Sequence, residues 1–335
     1  MPEKLPTIKE IARQLGISPS AVSRALHNHP SIGAKTRQRV QELAKALNYE
    51  PIQTALNFKR GKTQTVGVIL PRLGEEFFSR AISGIEDIAF KNGYTVLIGQ
   101  SREDGLREQQ MVATMKKHRI DGLIVSIAKT TNDYSHFEEL RKYNIPVVFF
   151  DRVPRMNDIN FVCCDLRAGT EAAIELLTGQ GHRRIAFLNG PETLIASGER
   201  YEGYRTALSR HGIPLNPDLV KTTDLSSAST EKAVSELLST TERPEAVLSF
   251  NDYVSLDAIH YIKKQGLILN RDIVIVSFAN ISFNHYLDAY PLASVERFPN
   301  EQGEKAMELL LDLLSGKPSP LPHHLILESK LVLHA

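Results

Sequence analysis

Two groups of residues in this chain carry side chains suited to recognising other molecules, and the first group lies close to the N-terminus. The stretch ISPSAVSRALHN, residues 17–28, combines hydroxyl groups with a single arginine at helical spacing. Arg24 can donate two hydrogen bonds to a guanine edge, Ser20 can bond to either type of base, and Ser23 can reach a phosphate. These residue types predict a surface that contacts nucleic acid.

The second group consists of polar and aromatic residues that follow short apolar stretches in the rest of the chain. They are Phe77 and Phe78 after VGVILP, Asp151 after PVVFF, Arg200 after RRIAFLNG, Asn251 and Asp252 after AVLSF, and Asn280 after VIVSFA. Ligands bind at the carboxyl ends of parallel strands, so these residues are candidates for a small-molecule pocket. Two alternatives stay open: Asp252 could cap a helix, and the phenylalanine pair could belong to a core.

Three short amphipathic helices are predicted to position the first group. In TIKEIARQLG, Thr7 and Glu10 have the spacing of a capping box, and Gly16 can end the helix in the left-handed conformation. Ser18 and Pro19 suit the N-cap and first position of a second helix. The third helix is KTRQRVQELAKALNY. Two helices joined by a glycine turn and followed by a third predict a helix-turn-helix.

Charge is distributed unevenly along the 335 residues. Residues 1–62 contain 11 lysines and arginines against 4 acidic residues, a charge of +7, whereas the remainder carries −6. A basic segment of this size is typical of a protein that binds a polyanion, most often nucleic acid. A small helical module that binds protein is the alternative interpretation of this segment.

The composition is that of a globular protein with two or three domains, 42% hydrophobic and 24% charged. The first residues, MPEKLPTIKE, lack the apolar centre of a signal peptide, and no apolar run reaches the roughly 18 residues that a membrane helix needs. We therefore expect a cytoplasmic protein with no membrane partner. Cys163 and Cys164 are adjacent, a spacing poorly suited to a disulfide, and are expected to be structural thiols.

The segment TIKEIARQLGISPSAVSRALHN, followed by AKTRQRVQELAKALNYEP, closely resembles the DNA-binding head of the LacI/GalR family of bacterial transcription regulators. The resemblance covers essentially the whole chain and implies binding to double-stranded operator DNA. It implies base-reading positions at Pro19, Ser20 and Arg24, and backbone-contacting or supporting positions at Ser23, His27, Thr36 and Tyr49. Because Pro19 offers no side-chain hydrogen bond, base reading narrows to Ser20 and Arg24. Gly33 stands where the family often has a serine cap, which leaves one expected phosphate contact without its donor.

Residues 51–62, PIQTALNFKRGK, have the composition of a linker between a head of residues 1–50 and a body of residues 63–335. The resemblance implies that this hinge forms a short helix on operator DNA, where two copies pair and wedge an apolar side chain into the minor groove. Ala55 and Phe58 occupy the matching small and wedge positions, and Phe is as suitable a wedge as Leu. Ile52 and Leu56 depart from the Asn and Arg of many members. Packing of Phe58 on the body is the alternative.

From residue 65 onward, short apolar stretches alternate with helical segments, a pattern that predicts parallel sheets covered on both faces. The resemblance implies an α/β body of two Rossmann-like subdomains of the periplasmic-binding-protein type I fold. Their crossovers are expected near Asp165, Leu292 and His324. The N-subdomain then comprises residues 63–164 and 293–323, and the C-subdomain comprises residues 165–292 and 324–335.

The resemblance also implies that the polar residues of the body hold a small effector, commonly a sugar or a nucleobase. Two positions differ from the family pattern: Ala279 replaces a common aspartate, and Arg297 stands where glutamine is usual. One interpretation is an anionic effector, such as a uronic acid or a sugar phosphate, held by Arg200 and Arg297, with Asp151 or Asn251 fixing a hydroxyl. The other is a neutral sugar, with Arg297 paired to an acid such as Glu296 or Glu301.

Other function classes fit the sequence less well. An enzyme with a nucleotide cofactor would need a glycine-rich phosphate turn, and the sequence contains no G-x-G-x-x-G, P-loop, G-x-S-x-G or metal-spaced histidine pattern. We therefore expect no enzyme activity, cofactor or metal. A sugar-binding protein without a transcriptional role would have no use for the basic head. The sequence thus predicts a homodimeric regulator on a palindromic operator, with a sugar-like effector controlling its DNA affinity.

Overall fold

The computed structural model describes residues 6–49, 62–316 and 322–334. The part of the chain through Thr63 and the part from Gln64 onward form two separate compact units. The first unit, the head, contains the three predicted helices: α1 (Ile8–Leu15), α2 (Pro19–Leu26) and α3 (Ala34–Ala46). Its small core is formed by buried Ile11, Ala12, Val22, Ala25, Val40 and Ala44.

The helix ends of the head follow the capping residues in the sequence. The Thr7 hydroxyl accepts a hydrogen bond from the Glu10 N–H (3.3 Å). Gly16 ends α1 with a φ of 65°, a left-handed conformation that costs glycine little. Ser18 caps α2 by accepting from the Ala21 N–H (3.2 Å), and Pro19 follows at the first helical position. These caps fix the tight turn between α1 and α2.

The second unit, the body, contains two six-stranded sheets with the same strand order. The strands of the first sheet are β1 (Thr65–Leu70), β2 (Thr95–Gln100), β3 (Gly122–Val125), β4 (Val147–Phe150), β5 (Asn160–Cys164) and β11 (His324–Leu327). Their spatial order is β11-β5-β4-β3-β1-β2, and all neighbours are parallel. The strands are rich in valine and isoleucine and largely buried, as expected for parallel strands covered on both faces.

The second sheet repeats this arrangement. Its strands are β6 (Ile185–Asn189), β7 (Val220–Thr222), β8 (Ala246–Ser249), β9 (Val274–Phe278), β10 (Ala293–Glu296) and β12 (Lys330–Leu333), in the order β12-β10-β9-β8-β6-β7. Only the β10–β12 pair is antiparallel among the described pairs. The predicted class, an all-α head followed by an α/β body with two doubly wound halves, is confirmed. The strands β7 and β10 were not predicted from the sequence.

Helices cover both faces of each sheet. They are α4 (Glu76–Lys91), α5 (Gly105–Lys117), α6 (Ser135–Arg141), α7 (Leu166–Gly179), α8 (Ile195–Arg210), α9 (Ser227–Leu238), α10 (Asp252–Lys264) and α11 (Pro299–Leu314). Helices α4 and α11 approach closely, because a Cβ at Gly84 would collide with the Asn300 carbonyl and one at Gly303 with the Ala81 carbonyl. Among the described residues, no helix has the length and apolar character that crossing a membrane requires.

The sheets place two of the three crossovers differently from the sequence prediction. β10 belongs to the second sheet, so the chain returns to the first half after Glu296 and not near Leu292. β11 belongs to the first sheet, so the last crossover follows Leu327 and not His324. The expected subdomain boundaries at 292/293 and 323/324 are therefore wrong by the length of one strand each. The first boundary was misplaced because the short strand ASVE was not recognised in the sequence, and the second because β11 pairs with β5 of the first sheet.

Candidate functional site

One face of α2 presents the residues predicted to read bases. Pro19, Ser20 and Arg24 are exposed, and in the described part of the chain Arg24 makes no ion pair. Its Nε donates to the Ser20 carbonyl (3.3 Å), which leaves the terminal nitrogens for another acceptor. The Ser20 hydroxyl lies 2.9 Å from that of Ser18, beside the first turn of α2. Free backbone N–H groups at such a turn favour an anion such as a phosphate.

The positions predicted to contact the DNA backbone surround this face. His27 is exposed at the end of α2, and Ser23 and Thr36 are half-buried. Tyr49 packs against the head core, and burial raises the pKa of its hydroxyl. Gly33 is the N-cap of α3 and makes no side-chain capping bond. The predicted hinge contacts, Ala55 and Phe58, lie outside the residues that the structure describes.

In the body, the residues that follow the strands converge on a crevice between the two halves. Asp151 follows β4 of the first sheet, and Arg297 follows β10 of the second. Arg297 Nη1 donates to Asp151 Oδ1 at 2.7 Å, and both side chains are more than nine-tenths buried. The guanidinium of Arg297 also lies over the Phe77 ring, 4.0 Å from its centroid. Arg297 is thus paired with an acid, although not with Glu296 or Glu301, the two named from the sequence.

A second buried ion pair lies beside the first. Arg152 Nη1 donates to both carboxylate oxygens of Glu103, at 2.9 and 2.8 Å. Burial by itself would raise the pKa of Glu103, but the charge and hydrogen bonds of Arg152, with the Lys129 N–H, lower it below its ordinary value. This pair was not predicted from the sequence. The sequence pattern that could have identified it is a charged residue shortly after a strand, because Arg152 directly follows Asp151 and Glu103 follows β2.

Arg200 is also buried, but its surroundings are different. Its guanidinium lies between the rings of Phe250 and Phe278, at 4.2 and 4.4 Å from their centroids. Nη1 donates to the Ala196 carbonyl (3.2 Å), and Nε has no partner among the described residues. Burial, and then the charge of Arg297, lower the pKa of Arg200 to about 9. Arg200 is therefore a buried cation held mainly by aromatic faces.

The remaining predicted effector residues make structural hydrogen bonds. Asn251 caps α10 by accepting from the Val254 N–H (2.9 Å), and Asn280 donates to Glu296 (2.9 Å). Asp252 is fully buried, accepts from the Ile281 N–H (2.8 Å) and the Ser294 hydroxyl (3.0 Å), and has a pKa raised by burial. The structure therefore places Asp252 inside the second half and not at the crevice surface.

The phenylalanine pair lies in the core of the first half. Phe77 and Phe78 are 4% and 1% exposed, and their rings meet edge to face with centroids 5.4 Å apart. Phe78 faces Arg152, whose guanidinium is 5.8 Å from the ring centroid. The two rings therefore pack against two arginines of the crevice, Arg152 and Arg297. Of the alternatives left open by the sequence, the structure shows the phenylalanine pair in a core.

Four non-glycine residues with positive φ lie at the same place. Ala279 has a φ of 107°, and Asn280, Asp151 and Phe298 have φ values of 54°, 56° and 50°. Positive φ is unfavourable for residues other than glycine, and more so for alanine and phenylalanine than for Asn or Asp. Such strain persists where the surrounding structure holds the chain in place, and it clusters at binding sites.

Several hydrogen bonds join the two halves across the crevice. On one side, Lys129 Nζ donates to the Asp224 carbonyl, and the Thr193 hydroxyl donates to the Lys129 carbonyl (2.7 Å). On another side, the Ser282 N–H donates to both oxygens of Glu76, at 3.0 and 2.9 Å. These residues were not predicted from the sequence, because they are distant in the chain and come together only where the two halves meet.

Two cavities open at the crevice, each with a volume of about 850 Å³. One is lined by Asp151, Cys163, Ala196 and Glu199, together with apolar side chains of residues 153–161. The other is lined by Glu76, Arg80, Asn280 and Glu296, among others. The first contacts both Asp151 and Ala196, which are the hydrogen-bond partners of Arg297 and Arg200. A ligand-sized space therefore adjoins the hydrogen-bond partners of both arginines, although neither arginine itself is part of its lining.

Both units match described protein families. Residues 7–51 match a family model described as bacterial regulatory proteins, lacI family. Residues 63–324 match a model described as periplasmic binding proteins and sugar binding domain of LacI family. Together the two matches span the head and nearly all of the body.

Individual relatives agree with these matches. The HTH-type transcriptional repressor CytR of Escherichia coli (strain K12) is 33% identical over 315 residues, 94% of this chain and 92% of that protein. Catabolite control protein A of Priestia megaterium is 31% identical and covers 91% of each chain. Among solved structures, the Lac repressor dimer bound to operator and the anti-inducer ONPF superposes with a TM-score of 0.83 at 25% identity, over 98% of each chain.

Proposed function

Because this chain belongs to the lacI family of bacterial regulatory proteins, we propose that it is a repressor-type regulator that reads its operator with Ser20 and Arg24 and senses an anionic effector at Arg200. The observation that carries the first part is Arg24, which is exposed on the face of α2 and makes no ion pair with any residue that the structure describes. Family membership excludes the enzyme class for this chain, and the head excludes a sugar-binding protein without a transcriptional role. We place its action in the cytoplasm, where the DNA is.

Operator recognition requires two heads. A single helix-turn-helix makes few base contacts, and two heads on a two-fold axis double them, so we propose a homodimer on an inverted repeat. The body offers an apolar surface for a second copy: β2 is an edge strand of the first sheet, and Leu97 and Ile98 on it are exposed. Exposed apolar side chains on an edge strand favour pairing with another chain.

A mobility-shift titration on an inverted repeat tests the DNA-binding part. If each dimer neutralises six or more phosphates, its affinity falls by roughly 10³ or more between 50 and 200 mM salt. Analytical ultracentrifugation of the complex is expected to give two chains per operator. Binding of a single chain to an asymmetric site, or a nearly flat salt dependence, would contradict the proposal.

The hinge supplies a separate prediction. We expect Phe58→Ala to weaken binding to the operator much more than binding to nonspecific DNA, because a wedge acts only when the hinge is ordered on a central base step. Fluorescence anisotropy on both DNAs measures the two affinities. Phe90→Ala is a matched control, since Phe90 is 82% exposed on α4 of the body. Equal losses on both DNAs would show that Phe58 supports the fold and is not a wedge.

Three buried arginines support an anionic effector in the crevice. Arg152 and Arg297 are paired with Glu103 and Asp151, whereas Arg200 has no carboxylate partner in the described part of the body. A buried guanidinium without a counter-ion is costly, and an anionic ligand removes that cost. In this proposal Arg200 contacts the effector, Arg297 and Asp151 bridge the halves, and Asn251 and Asn280 fix the surrounding loops. The effector acts by binding one arrangement of the halves more tightly than another.

A further inference from the structure

The manner in which Arg200 is held identifies the charge of its ligand, an inference that rests on the proposed effector site. Three guanidinium groups lie in the crevice, and two are neutralised by carboxylates at hydrogen-bond distance. For Arg200 the described residues provide two aromatic rings and one carbonyl. An aromatic face attracts a cation through its quadrupole but does not neutralise its charge. Arg200 therefore retains a full positive charge for a ligand.

The two rings are fixed in position by their own surroundings. Phe278 is fully buried at the end of β9, and Phe250 is 4% exposed directly after β8. A Cβ at Gly190 would lie 2.6 Å from the Phe250 ring, so only glycine at that position allows the ring to approach. The Nε of Arg200 has no partner among the described residues, and guanidinium N–H groups bond a planar acceptor in parallel pairs.

The charges around Arg200 limit how much negative charge the site accepts. Asp151 already carries its counter-ion Arg297, and the carboxyl group of Glu199, whose pKa is raised by burial, also acts on the charge of Arg200. One negative charge on a ligand balances Arg200. A second negative charge would face Asp151 and Glu199 in a site of low dielectric, where like charges repel strongly.

We propose that Phe250 and Phe278 are positioning residues that hold Arg200 as an unneutralised anchor, and that the effector group recognised there is a single carboxylate and not a phosphate dianion. A carboxylate is planar and accepts two parallel N–H bonds from one guanidinium, which suits a fork clamped between two rings. A site that prefers a carboxylate is expected to bind uronic acids and other hydroxy acids more tightly than sugar phosphates.

The preference for a carboxylate over a phosphate can be tested with simple anions, so the identity of the whole effector is not needed. The full-length protein is titrated with sodium acetate or with sodium phosphate at pH 8, at constant ionic strength, and the melting temperature is followed. We expect acetate to raise the melting temperature with a saturating dependence, and phosphate to have less effect. Acetate is expected to have no such effect on Arg200→Met. An equal or larger effect of phosphate, or the same acetate effect in Arg200→Met, would overturn the proposal.

The positioning role has its own measurement, the pH dependence of acetate binding. Acetate binds the charged guanidinium, so its affinity is expected to stay level from pH 6 to 8 and to fall as the pH rises through about 9. Removing a ring that favours the charged form lowers this pKa further. Phe278→Leu is therefore expected to shift the fall to lower pH, whereas Phe187→Leu, a buried ring stacked on Tyr204 in the same core, leaves its position unchanged. Identical profiles for both variants would refute the positioning role.

The outcomes distinguish this inference from the proposed function. Operator binding that responds to an effector, together with no acetate effect at Arg200, would leave the regulator intact and overturn the carboxylate assignment. Acetate binding that depends on Arg200 but never changes operator affinity, with larger carboxylates giving the same result, would support the assignment and contradict effector control at this site.

Discussion

Arg24→Ala is expected to cost about 1–3 kcal/mol of operator binding in each half-site, which for a dimer with two equivalent half-sites corresponds to roughly 30-fold to 10⁴-fold in affinity. The physical reason is the loss of two hydrogen bonds from a guanidinium to a guanine edge. The side chain is free to make them, because it is exposed and its only hydrogen bond in the described head goes from Nε to a backbone carbonyl. Fluorescence anisotropy at fixed salt measures the loss.

Sequence preference separates base reading from phosphate contact in this variant. If Arg24 reads a guanine, Arg24→Ala relaxes the preference at one base pair of each half-site, while the salt dependence changes little. Arg13→Ala is a suitable control, because Arg13 is an exposed arginine of α1 that is already paired with Glu10 (2.7 Å). An unchanged sequence preference for Arg24→Ala, with a reduced salt dependence, would assign Arg24 to a phosphate.

The head was predictable from sequence because its determinants are local. Thr7, Gly16, Ser18 and Pro19 act on the backbone within a few residues of their own positions, and each is observed to cap or end a helix as expected. The strands with continuous valine and isoleucine were predictable for the same reason. β7 and β10 contain charged and hydroxyl side chains among three and four residues, so no continuous apolar run distinguishes them from a loop.

The crevice was only partly predictable because its pairings join residues far apart in the chain. Asp151 and Arg297 were each recognised as candidates, but 146 positions separate them, and nothing local shows that they meet. The same holds for Arg200 and its two rings. Asp252 illustrates the opposite error: a polar residue after a strand was taken as a ligand contact, while its oxygens are used by Ile281 and Ser294. A position directly after a strand predicts that a residue lies near the crevice. Only the folded structure shows which of its polar atoms are available to hydrogen-bond a ligand.

The second large effect is expected at Arg200. Arg200→Met removes the hydrogen bonds to an anionic effector, each worth about 1.5–3 kcal/mol when a charged group takes part. Two such bonds correspond to a loss of roughly 10²–10⁴ in effector affinity. The head lies in a separate compact unit, so operator binding without effector is expected to be retained. Mobility shifts with and without a carboxylate sugar are expected to show a regulator that binds DNA and no longer responds.

The same variant is expected to melt at a higher temperature than the native protein. The pKa of Arg200 is lowered to about 9 by burial, which means that the folded state disfavours its charge relative to the unfolded chain. For a base with a lowered pKa, that cost is fully present below about pH 9 and declines as the pH rises toward the unfolded value. Burial of an ion costs several kcal/mol. A desolvated cation–π contact returns roughly 2 kcal/mol, and the contributions of the two rings do not add fully because they act on the same guanidinium. The cost of burying the charge is therefore larger than the return.

Methionine fills much of the same volume without charge and keeps contact with both rings. Calorimetry at pH 7 is therefore expected to give an increase in melting temperature for Arg200→Met, whereas Arg297→Met is expected to give a decrease, because it leaves Asp151 buried without a partner. This contrast between two arginines of one crevice follows from their partners alone. A lower melting temperature for Arg200→Met would mean that the aromatic rings fully offset the cost of burying the charge. It would also mean that the site does not lower the stability of the folded protein in order to bind an anion.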